Sequence, residues 1–235
     1  MKVAAIVPAY NEAARIQGVL SVLARCPALH EILVVNDGSH DPTAEVAQQF
    51  AAEHPAPTYP PVRVINLPVN RGKGGAMFAG ATATDADVII FFDADLIGLQ
   101  PAHVERILKP VLDGEVVMSI GVFRGGRLST DMAQILVPYI SGQRALLREL
   151  FTEIPGIERT RSGVEIALTL HFKRNRYPVA MVVVEGVTHT MKEEKLGWTR
   201  GVWARARMYA EIGKAFLRYT RLRDLRHKLL LKREE

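Results

Sequence analysis

The sequence predicts an α/β fold: a mostly parallel, mixed sheet flanked by helices, followed by a long basic C-terminal helix. Three observations predict it. Apolar runs of strand length alternate with amphipathic stretches of helical length through the first half. Val88-Ile89-Ile90-Phe91-Phe92 is apolar at five consecutive positions, the mark of a strand buried on both faces. Four apolar runs pass directly into polar clusters, as expected where strand ends line a ligand crevice.

In chain order, Val3 to Val7 reads as the first strand. Ala13 to Ala24 reads as a helix, because Ile16, Val19, Leu20 and Leu23 share one face. Glu31 to Val35 is the second strand and Thr43 to Ala52 the second helix. His54 to Pro61 holds four prolines and is a loop. Val62 to Leu67 is a strand, Ala76 to Ala83 a helix, and Val88 to Phe92 the buried strand. Pro101 to Leu112 is a helix with proline in its first turn, and Glu115 to Val122 a fifth strand. The glycine pair at 125 and 126 opens a loop. Gln143 to Phe151 and Ser162 to Phe172 read as helices, Ala180 to Val187 as a valine-rich strand, and Trp203 onward as one helix.

A chain of 235 residues that is 48% apolar and 23% charged fits one globular domain with an appendage. The boundaries expected are 1–201 for the domain, divided into halves 1–122 and 123–201, and 202–235 for the appendage. Cys26 is the one cysteine, which excludes an internal disulfide and fits a reducing compartment. No signal-peptide pattern opens the sequence, and no apolar run reaches the roughly 18 residues of a spanning helix. The expected location is cytoplasmic, or peripheral on the inner face of the membrane.

The four polar clusters carry the chemistry. They are Pro8-Ala9-Tyr10-Asn11-Glu12, Asn36-Asp37-Gly38-Ser39, Asn70-Arg71-Gly72-Lys73-Gly74-Gly75 and Asp93-Ala94-Asp95. Asp93 and Asp95 offer hard oxygen ligands to a divalent cation that carries a diphosphate. Asp37 can accept from ribose hydroxyls or a base N–H, against a bland reading as turn chemistry. Lys73 can reach a diphosphate, and backbone N–H groups at a helix start can meet phosphate oxygens. Two competing motifs fail. A Walker loop needs Ser or Thr where Gly74 stands and Gly where Leu67 stands, and no G-x-G-x-x-G follows the first strand.

In this order and spacing the four segments resemble the family 2 glycosyltransferases. The resemblance implies a Rossmann-like GT-A fold and a hexosyltransferase that uses a nucleoside diphosphate sugar with Mg²⁺ or Mn²⁺. It implies that Pro8, Tyr10, Asn11, Glu12 and Asp37 hold the nucleoside and that Lys73 lies near nucleotide or phosphate. Asp93, Ala94 and Asp95 would meet ribose and metal, Asp95 being catalytic through that metal. Many relatives have Asp where this chain has Asn36. The second half is similar to the polyprenyl-phosphate branch of the family, through Ser141-Gly142-Gln143-Arg144-Ala145 and Ser162-Gly163-Val164-Glu165-Ile166. Gly163-Val164-Glu165 is also similar to the retaining transferases that glucosylate phosphoglycerate. His189 looks like the histidine that completes a metal site in some GT-A enzymes; its other reading is structural.

The function expected is inverting transfer to polyprenyl phosphate or another membrane-associated anion, gripped by Arg124, Arg127, Gln143 and Arg144. Arg124 and Arg127 read equally as an exposed basic loop. Glu165 has two readings, a general base on an acceptor hydroxyl or a partner for Arg144 or Arg161. The alternatives are retaining transfer to a small phosphorylated acid and a non-catalytic sugar-nucleotide-binding partner.

The net charge of +5 belongs to the tail. From Trp203 to Glu235 ten Lys or Arg face four Asp or Glu. Met208, Ile212, Ala215, Tyr219, Leu222 and Leu229 recur at helical spacing, framed by Arg218, Arg221, Lys228 and Lys232. The preferred reading is an interfacial helix on anionic lipid. Packing on the sheet and burial in a homodimer stay open. Nucleic acid is not expected, because no aromatic stacking platform accompanies the charge.

Overall fold

A computed structural model describes residues 1–124 and 141–189. Strand β1 (Val3–Ala9) leads through helix α1 (Ile16–Leu23) to β2 (Glu31–Asn36), and helix α2 (Thr43–Glu53) leads to β3 (Val62–Asn66). Helix α3 (Lys73–Thr82) precedes β4 (Val88–Phe91), and a two-residue strand β5 (Leu96–Ile97) precedes α4 (Pro101–Leu112) and β6 (Met118–Arg124). The second half holds β7 (Arg144–Leu147), α5 (Arg148–Thr152), a 3-10 turn (Ile157–Arg159), α6 (Val164–Arg174), β8 (Val179–Glu185) and β9 (Thr188–His189).

Seven strands form one sheet in the order β3-β2-β1-β4-β7-β6-β8, and β5 pairs β9 in a separate ribbon. Strands β1, β2, β3 and β4 are mutually parallel, β7 runs antiparallel to both neighbours, and β8 is parallel to β6. The carboxyl ends of β1, β2, β3, β4, β6 and β8 therefore share one sheet edge, and β7 begins there.

The buried reading of Val88 to Phe92 holds: all five side chains have no exposed surface. Full burial of side chains this size contributes about 1.5–3 kcal/mol each. Alternate residues feed two apolar layers. Val88, Ile90 and Phe92 join α1 and α4 on one face, while Ile89 and Phe91 join α3 and α6 on the other. This is the two-sided burial expected of a sheet with helices on both faces.

One element differs in kind from expectation. Gln143 to Phe151 is not a single helix: β7 occupies its first part and α5 its second. Arg, Ala and Leu are good helix formers, but β7 fills the slot between β4 and β6, and that pairing overrides local preference. Bounds shift elsewhere: α1 begins at Ile16, α3 already at Lys73, and β6 at Met118. The loop at 125 and 126, Arg127 and the basic tail lie outside the described residues. Among the described residues no helix is long and apolar enough to cross a membrane.

Candidate active site

The loops after β1 and β2 are zipped together. Asn11 N–H donates to Ser39 Oγ at 3.0 Å, His40 N–H to Asn11 Oδ1 at 2.8 Å, and Glu12 N–H to Thr43 Oγ1 at 2.9 Å. Asn11 takes a positive φ of 57°, a conformation asparagine tolerates better than most residues. Tyr10 is left exposed, its ring edge-on to His40 with centroids 6.2 Å apart. Pro8 is half-buried below it. Glu12 accepts from Arg15 Nη1 at 3.3 Å. Asn36 is buried; its amide donates to Asn66 Oδ1 at 3.0 Å and its Oδ1 accepts from Ser39 N–H at 3.2 Å.

Asp37 is 3% exposed, and both carboxylate oxygens accept backbone bonds, from Arg71 N–H at 2.7 Å and Gly72 N–H at 2.8 Å. Burial raises its carboxyl above the ordinary value, and the two N–H groups pull it back. Its side chain is thus turned into the protein to hold the turn that starts α3. That turn needs glycine at 72: φ is +82°, and a Cβ would meet Arg161 Cα at 2.9 Å.

Lys73 follows at once and reaches across the sheet edge. Its Nζ lies 2.5 Å from Asp93 Oδ1 and 2.5 Å from Glu165 Oε1. Burial favours the neutral amine, but the two carboxylates outweigh it and hold the ammonium above its usual range. The other Asp93 oxygen accepts from Gln143 Nε2 at 3.0 Å. Lys73 therefore contacts two carboxylates at once.

Gln143 and Arg144 are both fully buried at this sheet edge. Gln143 braces Asp93, and Arg144 donates to Ser141 O and Thr169 Oγ1, each at 2.9 Å. Burial lowers the Arg144 guanidinium to about 10, while the nearby Glu165 charge raises it. It is still cationic near neutral pH. Glu165 is 8% exposed and has Lys73 as its ion-pair partner, in place of the Arg161 pairing considered above.

Asp95 lies one residue before β5, partly exposed on a groove of about 460 Å³ that Arg15, Gly18 and Leu99 also line. Ala94 between the two aspartates is buried. Strand β9 places residue 189 opposite Leu96, next to Asp95 along the chain. Among the described residues no three His, Cys, Asp or Glu side chains gather into a metal cluster. The hard oxygens of Asp93 and Asp95 are of a type that fits a divalent cation, and Asp93 also meets Lys73 and Gln143. Residue 124 ends β6 at the same edge, in register with Glu185. Sequence reasoning missed Thr169, which accepts from Arg144, and named Arg161 only as a partner for Glu165. Asn70 opened a cluster that was noticed, but nothing local signals its bond to Arg161, 91 positions away.

Known proteins are similar to this chain in sequence and in fold. Glucosyl-3-phosphoglycerate synthase of Mycobacterium tuberculosis is 28% identical over 203 residues, 72% of this chain and 60% of that protein. Its crystal structure with Mn²⁺, UDP and glucosyl-3-phosphoglycerate superposes with a TM-score of 0.73 at 25% identity, covering 93% of this chain and 79% of that one. A dolichyl-phosphate beta-glucosyltransferase of Trichomonas vaginalis is 40% identical over 99 residues, 38% of this chain and 28% of that protein. The matches thus span 28% to 60% of these curated relatives. The fold is that of GT-A enzymes, and the family model described as Glycosyl transferase family 2 matches residues 4–165. On that match, and on the sheet edge that gathers its segments, the chain belongs to glycosyl transferase family 2.

Proposed function

We propose that this protein is a glycosyltransferase that moves a sugar from a nucleoside diphosphate sugar to a phosphorylated acceptor. The observation that carries the reading is the contact of Lys73 with Asp93, the first residue of Asp93-Ala94-Asp95, and with Glu165, just past the end of β4. In the reaction the bond from the anomeric carbon to the diphosphate breaks, and an acceptor oxygen bonds to that carbon. A bound Mg²⁺ or Mn²⁺, held by Asp95 with His189 as the candidate second ligand, neutralises charge on the departing diphosphate. The related synthase crystallised with Mn²⁺ and UDP supports that cofactor. Tyr10, Asn11 and Glu12 form the nucleoside side of the crevice.

The ion pair between Glu165 and Lys73 favours an acceptor that needs no protein base. A phosphate monoester supplies an oxygen already anionic near neutral pH. Polyprenyl phosphate meets that need, attack in line would invert the anomeric carbon, and the dolichyl-phosphate relatives support it. The basic tail would then rest on anionic lipid. The match over 203 residues to the phosphoglycerate enzyme favours a second reading, retaining transfer to a small phosphorylated acid. Arg124 and Arg127 are the candidate anion grips under either.

UDP-glucose and Mn²⁺ incubated with 3-phosphoglycerate, or with polyprenyl phosphate in vesicles, tests both readings. Transfer to the lipid with inversion, read by NMR of the product, supports the first, and transfer to the acid with retention supports the second. Absence of transfer with UDP, GDP, ADP and dTDP sugars alike would exclude both.

A further inference from the structure

We propose that Asp37 and Arg161 are positioning residues: they clamp the turn at Asn70, Arg71 and Gly72 from opposite sides and so set where Lys73 meets Asp93 and Glu165. Asp37 grips from the β2 side, through its two bonds to Arg71 and Gly72 N–H. Arg161 grips from the other half of the chain, with Nη2 2.5 Å from Asn70 Oδ1. The Asn70 side chain is held at both ends, because its amide nitrogen donates to the Asp37 carbonyl at 3.1 Å. Backbone adds a further tie: Gly74 N–H donates to Arg161 O at 3.2 Å.

The geometry explains why a clamp is needed. Lys73 is the first residue of α3 and hangs directly from the clamped turn. A lysine side chain loses up to about 2 kcal/mol of rotamer freedom when fixed, so its anchor must not drift. A displacement of about 1 Å at a reacting centre can cost about 10²-fold in rate. Arg161 lies four residues before Glu165, so one clamp sets both ends of the Lys73–Glu165 pair. Asp37, with both oxygens engaged, acts on Lys73 through the turn.

The proposal rests on the glycosyltransferase reading only for what Lys73 is used for. The test therefore has one readout independent of turnover: acetylation of the Lys73 amine by acetic anhydride, measured by mass spectrometry on the full chain. Pairing protects that amine, so Arg161→Ala should raise its labelling about tenfold, the equivalent of 1.4 kcal/mol of lost contact. Arg161→Lys should restore part of the protection. Asn70→Ala should add nothing to Arg161→Ala, since both cut one link. In the transfer assay Arg161→Ala should lower kcat about tenfold, with the acceptor KM and UDP affinity within about twofold. Arg161 is exposed, so its variant is expected to fold, and Asp37→Asn provides the second arm.

Labelling of Lys73 that stays at the wild-type level in Arg161→Ala and Asp37→Asn overturns the clamp. Loss of UDP affinity in Asp37→Asn with unchanged labelling overturns it too and returns Asp37 to the nucleoside. A wild-type protein without transfer activity counts against the function and leaves the labelling result to decide the clamp.

Discussion

The ammonium of Lys73 stands 2.5 Å from the Glu165 carboxylate, joining two helices whose residues are 92 positions apart in the chain. One cation thereby ties the glycine-rich turn to the second half of the molecule. Substituting Lys73→Met removes the cation that Asp93 and Glu165 share. We expect a loss of about 1–3 kcal/mol in denaturant unfolding, because the lysine side chain is 27% exposed and the pair is only partly desolvated. Turnover should fall at least about 10²-fold, since electrostatic groups of this kind carry such effects.

Asp95 is partly exposed on its groove and not part of the apolar layers. Asp95→Ala should therefore change unfolding free energy by no more than about 0.5 kcal/mol. Sugar transfer should drop about 10³-fold or more, and EDTA should reproduce that drop in the wild-type protein. Full activity in EDTA would remove the metal from the reaction.

Gly142 is pressed against the site. A Cβ there would stand 2.6 Å from Asp93 Oδ2 and 2.7 Å from Lys73 Nζ. Gly142→Ala should push the pair apart, cost about 1–3 kcal/mol of stability and lower activity. Urea unfolding and steady-state assays check it, and Gly114→Ala, in open space but at positive φ, separates backbone strain from crowding.

Cys26 is 1% exposed behind α1, and burial pushes its thiol up to about 12. Its folded value lies above the unfolded one of about 8.5, so its contribution to stability is complete below that pH. The contribution is then lost as pH rises from about 8.5 towards 12. A thiol reagent at pH 8 should leave native protein unlabelled and label it stoichiometrically in guanidinium. Rapid labelling of native protein would contradict the burial.

Sequence patterning reached the sheet because apolar periodicity there is unambiguous. Val88 to Phe92 is short, β-branched and aromatic, which favours a doubly buried strand, and Ile16, Val19, Leu20 and Leu23 all bury on α1 as their spacing requires. Arg144 to Leu147 was illegible because its residues favour helix, and only the gap between β4 and β6 makes them a strand. Strands β5 and β9 are two residues each, too short for any period to register. Within the site, residue types at strand ends marked Lys73 and Asp93, which the structure brings into contact. What each side chain touches was not legible, since Gln143 meets Asp93 across 50 positions.

The reversed strand β7 has a consequence for how this molecule can be divided. It is hydrogen-bonded to β4 on one side and β6 on the other, so chain from after residue 140 completes a seam inside the sheet. A fragment ending at residue 122 would lay bare the fully apolar flank of β4 as an open template for other chains. Such a piece should aggregate alone and be rescued by its complement, which makes the two segments suited to reconstitution from split parts and poorly suited to exchange as independent modules.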